Sequence, residues 1–201
     1  MGQAWTVALS WKKDHRTLYG GYDVDMVETY FAHDYVYEWT DEQGRVSKHI
    51  NGYKLMETSY VGNQMVNDVV RGLIGHRDDH PMLTWVGEYT EYAEDEHIND
   101  LIRMVNNPFE HSIRHEAVQD ANPPKVWILC PDLGQYVRYD PGKDRGEIAA
   151  IALLCAFGNG LGGGDYSGTA MELVGKWVGH ELRVCDTEPE GEDLTGMFKE
   201  E

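Results

Sequence analysis

The sequence predicts an α+β domain with a mixed or mainly antiparallel sheet, two or three packed helices and an acidic C-terminal tail. Three observations predict it. Trp5, Val7, Leu9 and Trp11 alternate with Ala4, Thr6, Ala8 and Ser10, and similar period-two stretches recur, each marking a strand with one apolar face. Ile98, Leu101, Ile102 and Val105 fall at i, i+3, i+4 and i+7, the stripe of an amphipathic helix. The two patterns are interspersed without regular βα alternation, which favours α+β over a doubly wound sheet. At 201 residues the chain suits a single domain, placed at 1–186, with a flexible acidic tail at 187–201.

The elements follow in order. After the Trp5 strand, residues 12–22 are polar and end in Gly20-Gly21, a loop. A short helix is expected next, with Asp23 or Asp25 as N-cap and Met26, Val27, Tyr30 and Phe31 on its inner face. Tyr35, Tyr37 and Trp39 alternate, Asp41-Glu42-Gln43-Gly44 reads as a turn, and Arg45 to Ile50 returns as a second strand. The longest helix is expected over 53–74, with Val61, Met65, Val66, Val69, Val70 and Leu73 as its stripe and Gly75 as C-cap. Pro81 to Tyr89 reads as a strand, and Glu94 to Asn107 as a helix ended by Pro108.

Lys125 to Cys130 and Gln135 to Tyr139 form a hairpin about Pro131-Asp132-Leu133-Gly134. Ile148 to Phe157 suits either a helix or a buried strand. Leu173 to Val184 reads as a final strand, bent at Gly175 and Gly179. From Asp186 the chain is acidic and poor in large apolar residues, so a loose tail is expected.

Charge narrows the function classes. The formal net charge is −18, which argues against direct nucleic-acid binding and against anionic membranes. Three acidic stretches, at 17–44, 82–102 and from 186 onward, hold 20 of the 35 acids with a single lysine among them. Glu94, Asp95 and Glu96 precede a predicted helix whose positive end they stabilise. The aromatic-laced stretch from Tyr22 to Glu42 instead suits a protein-binding face, in which aromatics anchor and acids steer. The longest apolar run, Ile148 to Phe157, is too short to span a bilayer. Cys130, Cys155 and Cys185 lack Cys-x-x-Cys spacing and read as free thiols. With no signal-like N-terminus, the cytoplasm is the expected compartment.

The segment Gly158-Asn159-Gly160-Leu161-Gly162-Gly163-Gly164-Asp165-Tyr166 is the most unusual. Its N–H groups can form a nest around an anion. Gly158, Gly160 and Gly163 spell a literal Gly-x-Gly-x-x-Gly, but only 38 residues follow and no βαβ unit surrounds it. A phosphate-binding Walker loop is also excluded, because Gly164 and Asp165 stand where Lys and Ser/Thr are required. Asp165 repels phosphate unless a cation intervenes; it can instead bond a ligand hydroxyl or amide, or cap the loop's own N–H groups. The plainer reading is a glycine-rich turn packed under an aromatic ring.

His76 and His80, and His111 and His115, have i, i+4 spacing, but Asp78 and Ile113 break the His-Glu-x-x-His pattern and both segments read as exposed, so solvated surface histidines are expected. No cofactor and no catalytic set is indicated.

Trp85-Val86-Gly87-Glu88-Tyr89 and the glycine-rich segment together resemble a family of uncharacterised bacterial and phage-type proteins. That family pairs a Trp-x-Gly-Asp/Glu-Tyr motif with a Gly-Asn-Gly-x-Gly-Gly-Gly-Asp-Tyr loop, and the likeness spans residues 82–185. The resemblance implies that the two motifs meet in space. The family position held here by Leu161 is often arginine, and its loss argues against phosphate binding. The resemblance implies no known activity.

The expected function is non-catalytic binding of a small polar ligand, with a nucleotide-like molecule as one candidate. Asn159, Gly160, Gly163, Asp165 and Tyr166 line the expected pocket over a floor of Trp85, Glu88 and Tyr89. Two alternatives stand beside it. One is a phage-borne acidic protein that occupies a basic site on a host nucleic-acid enzyme. The other is a small hydrolase using Glu88 and Asp165.

Overall fold

The computed structural model describes residue 3 and residues 5–12, 24–29, 36–50, 54–90, 112–114 and 122–200. Within them the strands in chain order are β1 (Trp5–Lys12), β2 (Val24–Thr29), β3 (Val36–Thr40), β4 (Val46–Ile50), β5 (Met82–Gly87), β6 (Ser112–Arg114), β7 (Val126–Cys130), β8 (Gln135–Tyr139), β9 (Ala156–Phe157), β10 (Arg183–Cys185) and β11 (Glu192–Asp193). The helices are α1 (Leu55–Thr58), α2 (Gln64–Gly75) and α3 (Ala150–Leu154).

The larger sheet runs β6-β2-β1-β5-β9. Its centre is antiparallel, with Trp5 opposite Gly87 and Leu9 opposite Leu83, and both outer pairs, β2–β6 and β5–β9, are parallel. A second sheet runs β10-β7-β8-β11, antiparallel except for β8–β11. Strands β3 and β4 form a separate hairpin. The fold is therefore α+β with mixed sheets.

One contiguous core joins the two larger sheets and the helices. Trp5, Val7 and Leu9 of β1 and Leu83 and Trp85 of β5 meet Ile128 and Val137 of the second sheet. Helix α2 contributes Met65, Val66, Val69, Val70 and Leu73, and every residue of α3 is buried. Burial of such side chains stabilises the fold by about 1.5–3 kcal/mol each.

Five expectations need correction or refinement. The helix expected from Asp23 or Asp25 is instead strand β2, which pairs with β1 and β6. Its β-branched Val24, Val27 and Thr29 suit a paired strand, and pairing on both edges overrides a local capping signal. The long helix of 53–74 is broken between α1 and α2. There Ala149 N–H donates to Ser59 C=O at 2.7 Å and Val61 N–H to Glu147 C=O at 2.7 Å, so these residues join a neighbouring segment rather than a helix. Helix α2 restarts at Asn63, whose side chain accepts from Met65 N–H at 2.9 Å.

The strand expected over 173–184 exists only as β10. Gly175 and Gly179 have φ of +76° and +79°, which turn the chain away from extended geometry, and Trp177 between them is buried. The ambiguous 148–157 stretch divides into α3 and β9. The helix expected over 94–107 lies outside the described residues.

The C-terminal residues, expected to be loose, are packed. Strand β11 pairs with β8, Leu194 N–H donates to Tyr136 C=O at 2.9 Å, and Leu194 and Phe198 are buried in the core. The acids around them stay exposed, so an acidic composition concealed two apolar anchors four residues apart.

Candidate functional site

The glycine-rich loop starts where β9 ends, with Phe157 paired to Val86 of β5. The two sequence motifs therefore lie side by side. Gly158, at φ +97°, sits against Thr90, and a Cβ there would overlap the Thr90 hydroxyl. That hydroxyl donates to Phe157 C=O at 3.0 Å and fastens the loop entrance to the end of β5.

The loop closes around its own aspartate. Asp165 Oδ2 accepts from the N–H groups of Gly160 at 2.8 Å, Leu161 at 3.0 Å and Gly162 at 3.0 Å. Its Oδ1 accepts from the Trp5 indole at 3.0 Å. The Gln3 amide lies 3.1 and 3.0 Å from the two oxygens. Three successive N–H groups form an anion nest, and the anion is a side chain of the same loop. Donors from five residues saturate the carboxylate.

Gln3 holds the two motifs together. Its Nε2 also donates to Gly158 C=O at 3.0 Å, its Oε1 accepts from Tyr89 N–H at 2.9 Å, and its own N–H donates to Gly163 C=O at 3.1 Å. Gly87 and Gly162 make room for it, because a Cβ at either position would collide with Gln3. Sequence reasoning missed Gln3 and the donor role of Trp5, since a glutamine near a chain start carries no local signal of a distant partner.

The far side of the loop is equally committed. Asn159 Oδ1 accepts from Tyr166 N–H at 2.8 Å, and its Nδ2 donates to Tyr166 C=O at 3.1 Å. Tyr166 is buried, with its ring edge-on to Phe198 at 5.6 Å. Its hydroxyl donates toward Thr169 C=O at 2.6 Å and accepts from Lys199 N–H at 3.1 Å. Thr169 Oγ1 donates to Met197 C=O at 2.6 Å. The loop thus clamps residues 197–199.

The predicted site residues divide accordingly. Trp85 and Tyr166 are buried and present no ring to the surface, so the expected stacking floor at Trp85 is closed. Asn159 and Asp165 bond the protein itself. Gly160, Gly163, Glu88 and Tyr89 are exposed, as is Leu161. The Tyr89 hydroxyl titrates above its ordinary range, because of partial burial and then the neighbouring Glu88 carboxylate.

An open cleft of about 490 Å³ lies elsewhere, lined by Tyr60, Gly146, Glu147, Ile148, Gly196, Phe198, Lys199 and Glu200. One wall is the short ladder between 59–61 and 146–149, extended by the Tyr60–Ile148 bridge. The other is the C-terminal segment held by Tyr166 and Thr169. The loop also reaches α1, which precedes the first wall in the chain: Gly164 C=O accepts from Met56 N–H at 3.2 Å. Burial and then the Glu200 carboxylate raise the pKa of Tyr60. No sequence motif marks this cleft, because its walls come from three separate segments.

Other candidates fall away. His76 stacks edge-on with Trp11 at 4.8 Å and pairs with Asp79. His111 and His115 lie outside the described residues, as do Asp23 and Asp34. Among the described residues no group of three His, Cys, Asp or Glu is placed to hold a metal, and no helix is long and apolar enough to cross a membrane. Burial pushes the Cys130 thiol up to about 11 and Cys155 well above its usual value, the reverse of an activated nucleophile. Comparisons with protein-family models, curated proteins and solved structures find no significant match to this chain.

Proposed function

We propose that the protein is a non-catalytic binding protein for a small polar ligand, and that the ligand occupies the cleft beside Tyr60. The glycine-rich loop is then the frame of the site rather than its lining. The observation that carries this reading is the saturation of Asp165 by N–H donors of five residues. A ligand anchored at the nest, whether nucleotide or sugar, would have to displace that carboxylate. A hydrolase using Glu88 and Asp165 would need Asp165 to exchange protons with substrate, yet its oxygens face only donors. The cleft offers what the loop does not: an open concavity in which Ile148 and Phe198 lie among polar groups from three segments. The free thiols fit a cytoplasmic setting.

The test is a thermal-unfolding screen of the full chain against small polar molecules of positive, neutral and negative charge. A true ligand at 100 times its Kd raises stability by about 2.7 kcal/mol. The increase is expected to shrink in Tyr60→Ala, whose side chain lines the cleft. A screen in which no class of molecule shifts the melting temperature overturns the reading.

A further inference from the structure

The lining of the cleft goes further than its existence. Ile148 and Phe198 are 7% and 3% exposed and form an apolar floor. Glu147 and Glu200 stand exposed on the rim, one from each wall. They reach the cleft independently. Glu147 follows from the ladder that pairs its C=O with Val61 N–H, and Glu200 from the clamp on residues 197–199. Tyr60 lines the same cleft and brings an aromatic ring to the site of that carboxylate.

Among the described residues that line the cleft, Lys199 is the one cation. Its backbone is fixed by Tyr166 and Thr169, while its side chain is exposed and can extend its ammonium into water. Around the cleft the whole chain carries −18, a field that gathers cations and repels anions.

Resting on the binding reading above, we infer that the cleft selects an organic cation, a protonated amine or guanidinium on a short apolar stem. The stem lies on Ile148 and Phe198. The charged head meets Glu147 and Glu200 and the face of Tyr60, which attracts a cation through its ring quadrupole. A nucleotide fits poorly here, because its phosphates would face two carboxylates.

An isosteric series separates the terms. Pentylammonium, 1-pentanol and pentanoate share one stem and differ in head charge. The full chain is titrated with each by two-dimensional amide NMR and calorimetry, in wild type, Glu147→Gln and Glu200→Gln. Both substitutions are at exposed positions. Pentylammonium is expected to shift the amides of 60, 146–148 and 196–200, and to lose roughly 5-fold in affinity in each variant. Pentanoate is expected to leave those amides unmoved.

If pentanol or pentanoate binds the cleft as well as the amine, or if the amine binds equally in both variants, the charge inference is overturned while the binding reading stands. If the amine moves none of those amides, the inference is likewise overturned. The broader screen then decides the binding reading on its own.

Discussion

The indole N–H of Trp5 donates to Asp165 Oδ1 at 3.0 Å, joining residues 160 positions apart. The contact links the first strand of the central sheet to the glycine-rich loop, and it places a carboxylate where a bound anion is expected.

Removing that charge tests the nest. In Asp165→Asn an amide NH2 replaces one acceptor and faces the donors of Gly160–Gly162, Gln3 and Trp5. Leaving part-buried donors unsatisfied costs about 1–3 kcal/mol. Urea unfolding is expected to show a loss of that order, with amide shifts concentrated at residues 158–166. If Asp165→Asn instead creates affinity for inorganic phosphate without loss of stability, the nest is a ligand site and not a frame.

Gly87 and Gln3 are coupled. An alanine Cβ at 87 overlaps the Gln3 side chain, so Gly87→Ala is expected to destabilise by about 1–3 kcal/mol. In a Gln3→Ala background the further cost of Gly87→Ala should shrink. A double-mutant cycle should give a coupling of at least ~0.5 kcal/mol. Additive losses would show that Gln3 does not occupy the space over Gly87.

The acidic C-terminus carries structural weight. Phe198→Ala is expected to cost about 3–5 kcal/mol and Leu194→Ala about 2–5 kcal/mol. Met197, 45% exposed between them, serves as the control, and its alanine variant should stay within about 0.5 kcal/mol of wild type. Equal, small effects at all three positions would restore the loose tail.

High pH should loosen the fold through Tyr139. Its hydroxyl donates to Asn67 Oδ1 at 2.7 Å and accepts from Gly62 N–H at 3.1 Å. Burial pushes its pKa from 10.0 up to about 12. Between these values the unfolded chain gives up the proton and the native state keeps it, so stability falls as pH rises. The contribution is complete below the unfolded value and is lost as pH rises through the folded one. Stability measured across that window should fall less steeply in Tyr139→Phe than in wild type. Identical pH profiles would contradict the burial.

Much of the framework was legible in the sequence because its signals are local. The alternation of Trp5 to Trp11 marked β1, and Pro131-Asp132-Leu133-Gly134 marked the β7–β8 hairpin. Asp41-Glu42-Gln43-Gly44 likewise marked the β3–β4 turn, where Gly44 takes φ +78°. Strand β2 was not legible, since its acids mimic a helix N-cap and only pairing with β1 and β6 makes it a strand. The break between α1 and α2 was hidden for the same reason. Residues 59–61 have a helical apolar spacing, but their hydrogen bonds go to 146–149.

At the site the division is sharper. By itself the sequence determined that residues 158–166 form an irregular loop rich in N–H donors, with a carboxylate inside it and glycines that permit left-handed backbone, which Gly158, Gly160 and Gly164 adopt. Those are consequences of residue type, and they act over a few residues. Only the tertiary structure decided that the carboxylate turns inward onto its own loop, Gln3 and Trp5, and that the open cleft forms between Tyr60, Glu147 and Glu200. A nest binds any anion with the same N–H groups. Whether that anion is a ligand or a neighbouring side chain depends on which distant segments fold against it.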